Sequence, residues 1–136
     1  MNDIKIDEHN LSMEMANQAA NFLYVAEQAA KAEAVYDTTK FAMDQLVAEL
    51  DMEVREKATD DGKKVTEKLV EMEVERDQRH KDMKLRVIKA KAEMNMVKAK
   101  RDAWYQRKDM LIQLAIKERN EIAAITGGTV SAQEDA

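Results

Sequence analysis

From about position 12 to about position 57, apolar residues recur at alternating steps of three and four. One seven-residue column reads Met15, Phe22, Ala29, Tyr36, Met43 and Leu50; a second reads Val25, Ala32, Thr39 and Leu46. Together they form the narrow seam of helices that pack along their length. Alanines at 26, 29, 30, 32 and 34 leave room for a neighbouring helix to come close. Asn10 or Ser12 is placed to cap this first helix, because a short polar side chain accepts from the free amides of a first turn.

The pattern stops at Ala58-Thr59-Asp60-Asp61-Gly62-Lys63-Lys64. Asp and Gly favour turns, and Gly62 takes a positive φ at little cost. A turn over 58–65 follows, with Thr66 as the next N-cap and Glu67 near the positive helix end. A second helix is expected over about 66–125, ending at Thr126-Gly127-Gly128, with a disordered tail over 127–136. Its seam column reads Leu69, Arg76, Met83, Ala90, Val97, Trp104, Leu111, Glu118 and Ile125, with Val65, Met72, Val87, Met94, Ala115 and Ile122 as partner positions. The stretch 76–82 contains no hydrophobe and reads either as an exposed helical strut or as a break, the continuous helix being preferred. Residues 1–10 are polar and read as loosely ordered.

Composition agrees with an all-α chain forming a long helix-loop-helix hairpin with coiled-coil-like packing. The 136 residues contain no proline and three glycines, and 36% are charged against 4% aromatic. Such a chain, rich in Ala, Glu, Lys, Met and Leu, favours long helices over β structure. At 1.5 Å rise per residue the two helices would be roughly 70 and 90 Å long. A two-helix hairpin hides too little apolar surface to offset its ordering entropy. A homo-oligomer is therefore expected, with Phe22, Tyr36, Met43, Leu50, Met83, Val97, Trp104 and Leu111 as oligomerisation residues.

Charge is unevenly distributed. Residues 1–62 hold 5 basic and 14 acidic side chains, whereas residues 81–108 hold 10 basic and 3 acidic, within a total of −5. Two roles fit this asymmetry: electrostatic pairing of the two halves, or a basic surface that serves a ligand. There is no cysteine, which removes thiolate catalysis and disulfides. The N-terminus lacks the layout of a signal peptide, and no apolar run approaches the roughly 20 residues needed to span a bilayer. A cytoplasmic protein is expected, in the host cell if a phage encodes it.

No catalytic constellation emerges. His9 and His80 are isolated, and the carboxylate pairs Glu71/Glu75 and Glu49/Glu53 are what chance gives in so acidic a chain. Phosphate loops, Ser-His-Asp sets and zinc spacings are absent; neither an enzyme nor a cofactor is expected. Binding remains. Candidate nucleic-acid contacts are Lys63, Lys64 and Lys68 at the turn, and Lys98, Lys100, Arg101, Arg107 and Lys108 in the basic segment. Trp104 lies on the seam column and reads as core, while Tyr105 leaves it and is the better candidate for stacking a base.

A spaced pattern over roughly 45–122 resembles the phage UvsY recombination mediator family, known from T-even-type phages. Leu50-Asp51 precedes an Asp/Gly-rich loop. Lys64-Val65-Thr66-Glu67 follows, then Asp77 after Val74, then Ala103-x-x-x-Arg107 and the apolar Met110, Leu111 and Ile112. The family places basic residues just ahead of the loop, where this chain has the acidic Ala48-Glu49-Leu50-Asp51-Met52-Glu53; Lys63, Lys64 and Lys68 stand as substitutes. The resemblance implies a non-enzymatic, heptamer-like ring that binds single-stranded DNA. It would help a RecA-like recombinase displace single-strand-binding protein in recombination and repair. The other function compatible with the same residues is a phage-type helical scaffold, adaptor or inhibitor acting by protein–protein binding.

Overall fold

The computed structural model describes residues 4–134, and the side chains of residues 4–127. All regular elements among them are helical. A 3-10 turn at Glu8–Asn10 leads into α1 (Leu11–Asp60), followed by α2 (Glu67–Arg76) and α3 (Gln78–Glu134). Contacts divide the chain into two compact units, one built from 1–27 and 98–136 and the other from 28–97. Both α1 and α3 contribute a segment to each unit.

In the unit of residues 28–97, the chain turns where the sequence predicts. Gly62 has φ +70°, and its amide donates to Thr59 O at 3.1 Å while the Lys63 amide donates to Ala58 O at 2.9 Å. These bonds occupy carbonyls that the end of α1 would otherwise leave unpaired. Thr66 is the N-cap of α2, its hydroxyl accepting from Leu69 N at 3.2 Å. The core here is Leu50 against Val70 and Val74, surrounded by Leu46, Val47, Val54 and Val65. Glu53 of α1 meets Arg79 of α3, so the return path runs antiparallel to α1.

The expected continuous second helix is broken. Asp77 is extended (φ −64°, ψ 132°) and ends α2, its amide donating to Val74 O. Its carboxylate accepts from Arg79 N at 2.8 Å, and its carbonyl accepts from Lys81 N, which starts α3. An Asp side chain competes with the helix ladder for nearby amides. In a stretch with no hydrophobe to pack, that competition succeeds. The break also shifts the seam. Ahead of it Val70 and Val74 are buried, one and two places beyond the expected Leu69 and Met72, and Met72 is exposed. Beyond it Met83, Val87, Ala90, Met94 and Val97 turn inward in the expected frame.

The second correction concerns the C-terminus. The expected stop at Thr126-Gly127-Gly128 is absent, and α3 runs on to Glu134. Gly127 has no positive φ and therefore does not form a left-handed cap. A glycine inside a helix costs about 1 kcal/mol relative to Ala but does not forbid the helix. The expected disordered tail is thus helical as far as Glu134; residues 135–136 of it, and residues 1–3 of the N-terminal segment expected to be loosely ordered, lie outside the described residues. No helix among the described residues is long and apolar enough to cross a membrane.

Candidate functional site

In the unit built from 1–27 and 98–136, the basic segment does not present all its cations outward. Arg107, expected among the nucleic-acid contacts, is only 4% exposed. Its Nη1 donates to Gln18 Oε1 at 2.8 Å, its Nε to Ile4 O at 2.8 Å, and its Nη2 to Lys5 O at 3.1 Å and to the Glu14 carboxylate. Gln18 Nε2 donates in turn to Trp104 O at 2.6 Å, and the guanidinium lies 4.7 Å from the Trp104 ring centroid. Arg107 therefore fastens the N-terminal segment and α1 to α3. A phosphate could reach it only by displacing these partners. A buried guanidinium is tolerated because carboxylate, amide and carbonyl oxygens surround it.

Around that network, the remaining candidates divide. Lys100 and Lys108 are exposed, whereas Lys98 is half-buried. Arg101 is half-buried and pairs with its neighbour Asp102 at 3.2 Å. Tyr105 is half-exposed, as a stacking residue requires, but Phe22 lies 6.0 Å from its ring centroid and Lys108 Nζ lies 4.2 Å from it. Trp104 is 2% exposed and belongs to the core.

The turn between α1 and α2 carries the other cluster. Lys63, Lys64 and Lys68 are exposed, and none takes part in an ion pair among the described residues. Glu67, the carboxylate nearest them in sequence on α2, is held elsewhere: Arg55 Nη2 donates to both its oxygens, at 2.9 and 2.8 Å, while Arg55 Nε donates to Asp51 at 2.7 Å. The Asp51 hydrogen bond, with that of Glu67, holds the Arg55 guanidinium pKa above its ordinary range. Arg79 is likewise raised, first by Asp77 and then by Glu53. Arg55 thus takes up the carboxylates of Asp51 and Glu67, and the three lysines share the outward face of the turn with the exposed Asp60 and Asp61.

The oligomerisation candidates also divide. Leu50, Trp104 and Leu111 are buried within a single chain, which corrects their assignment to a seam awaiting another subunit. Each packs in its own unit. Phe22, Tyr36, Met43, Met83 and Val97 are half-buried. Sequence reasoning missed Glu14 and Gln18. Extending the column of Val25 and Ala32 back by seven places Gln18 on the seam, which was the available signal. No group of three His, Cys, Asp or Glu among the described residues converges in a way that could hold a metal.

No protein-family model matches the chain, and no curated protein or solved structure matches it.

Proposed function

We propose that the chain is a non-enzymatic, self-associating, single-stranded-DNA-binding recombination mediator that helps load a RecA-like recombinase onto strand coated by single-strand-binding protein. The observation that carries this reading is the exposed trio Lys63, Lys64 and Lys68 at the α1–α2 turn, standing beyond the loop in place of the basic residues that the UvsY-like pattern puts just ahead of it. Lys100 and Lys108 add exposed charge in the other unit. One such cluster binds a strand weakly through phosphate neutralisation. An oligomer repeats it, and effective concentration then supplies the affinity that one cluster lacks. Differential binding to strand and recombinase states performs the work, with no bond made or broken.

The test is fluorescence anisotropy of a labelled single-stranded oligonucleotide over a range of salt. Binding that falls steeply with salt, and that is lost in Lys63→Ala/Lys64→Ala/Lys68→Ala with the helix content intact, supports the reading. Indifference to the oligonucleotide at low salt overturns it. The exposed apolar side chains of α1, among them Leu23, Phe41 and Met52, favour the second reading, a helical adaptor that docks another protein. That reading gains if strand binding is absent and a stoichiometric protein complex forms.

A further inference from the structure

Both long helices of the 28–97 unit are apolar on two sides. The inner side of α1 carries Ala29, Ala32, Tyr36, Thr39, Met43, Leu46 and Leu50, which are buried or half-buried. Ala30, Ala34, Phe41, Ala48 and Met52 are exposed, and helical periodicity sets them roughly 160° away around the axis. On α3 the inner side carries Met83, Val87, Ala90 and Met94, while Leu85, Ile88, Ala92 and Met96 are exposed on the far side. Phe41 is 64% exposed and Leu85 65%. Both outer stripes keep steps of three, four or seven, the spacing of a packing seam.

The surroundings of the two stripes have opposite charge. Residues 30–53 of α1 hold 2 basic and 6 acidic side chains; with Asp51 paired to Arg55 and Glu53 to Arg79, a net of −2 remains. Residues 81–97 of α3 hold 5 basic and 2 acidic, a net of +3. Asp37 and Asp44 border the α1 stripe, whereas Lys84, Lys89 and Lys91 border the α3 stripe. Two α1 stripes brought together would repel, as would two α3 stripes. One of each is complementary in both charge and apolar pattern.

We infer that the α1 stripe of one chain docks on the α3 stripe of a second copy, so that assembly is head to tail. An interface made of two different patches leaves one free patch at each end, and it grows until the rotation closes it into a ring. This deepens the self-association in the proposed function and rests on it; strand binding is a separate matter. It also replaces the buried Leu50, Trp104 and Leu111 with residues that a neighbour can reach.

Two double variants of the full chain test it. Ala34→Glu/Phe41→Glu spoils the α1 stripe, and Leu85→Glu/Ile88→Glu spoils the α3 stripe. All four positions are exposed and Glu is a good helix former, so circular dichroism should remain that of wild type. By sedimentation velocity each variant alone should fall to the 15.6 kDa chain. Mixed in equal amounts, they should form a 1:1 dimer and nothing larger, because each retains the patch the other lost. Unchanged mass in either variant overturns the inference, as does failure of the mixture to pair. Loss of strand binding by the α3 variant at unchanged mass would give that stripe to the strand and also overturn it. If assembly behaves as expected while the wild-type oligomer ignores oligonucleotides, the strand-binding proposal fails alone.

Discussion

Arg107 donates to the side chain of Gln18 at 2.8 Å across 89 positions of sequence. Both residues are buried, and the same guanidinium holds the backbone of Ile4 and Lys5. A seam made only of Ala, Met, Val and Leu tolerates slippage by a turn. A polar pair with fixed geometry inside it does not, since a slipped register leaves both partners desolvated and unpaired. Among the described residues no buried side-chain nitrogen or oxygen lacks a partner.

Breaking this pair should therefore be costly. Arg107→Ala leaves Glu14 and Gln18 without their donor and should lose about 2–4 kcal/mol in urea unfolding at fixed protein concentration. Gln18→Ala should lose about 1–3 kcal/mol. The double variant should lose less than the two single losses added, because the second removal finds the interaction already gone. Additive losses would show that the two residues act independently.

The α1–α2 turn has two local determinants. Gly62 sits at φ +70°, where a Cβ costs about 1–2 kcal/mol; Gly62→Ala meets no atom within 4 Å, so its cost is conformational alone. Thr66→Ala removes the cap on Leu69 N and should cost about 1 kcal/mol, while Thr66→Ser should be nearly neutral. Thermal unfolding by circular dichroism measures both.

Asp77 links the break to pH. Its carboxyl is held below the ordinary value of 3.8, first by the Arg79 side chain and then by the Arg79 amide. A carboxyl lowered by folding adds stability that is full above its unfolded value and is lost as pH falls through its folded one. Asp77→Asn keeps a capping oxygen but cannot titrate. Its stability curve should therefore be flatter than wild type below about pH 4, the wild type keeping a modest advantage near neutrality, as fits an exposed ion pair, and losing it in acid. Superimposable acid limbs would contradict this.

At the lysine trio, each phosphate contact on a single strand contributes about 0.7 to the slope of log affinity against log salt. Removing Lys63, Lys64 and Lys68 together should lower that slope by up to about 2 for each cluster engaged. Lys108→Ala should weaken binding without touching the fold, whereas any loss in Arg107→Ala should track its loss of helix content. A slope unchanged by the triple variant would move the strand away from the turn.

Much of the fold could be read from the seam. Val25, Ala29, Leu50, Trp104 and Leu111 fall on the predicted columns and are buried, and Gly62 and Thr66 mark the turn and the cap. Two local features misled. Gly127 lies where a helix end is expected, yet glycine only permits a left-handed cap and does not require one. Asp77 sits in a polar stretch that periodicity cannot phase, so its capping geometry was hidden. The candidate site was less legible because an arginine's partners lie far away in sequence. Nothing local distinguishes buried Arg107 from exposed Lys108; its meeting with Gln18 and Ile4 exists only once the helices have packed.

The most direct measurement is the native mass of the particle with and without a single-stranded oligonucleotide. A defined multiple of the 15.6 kDa chain, gaining the mass of bound strand at low salt and releasing it as salt rises, is the result predicted. A lone 15.6 kDa chain at micromolar concentration, unchanged by the oligonucleotide, would contradict both the assembly and its strand-binding role.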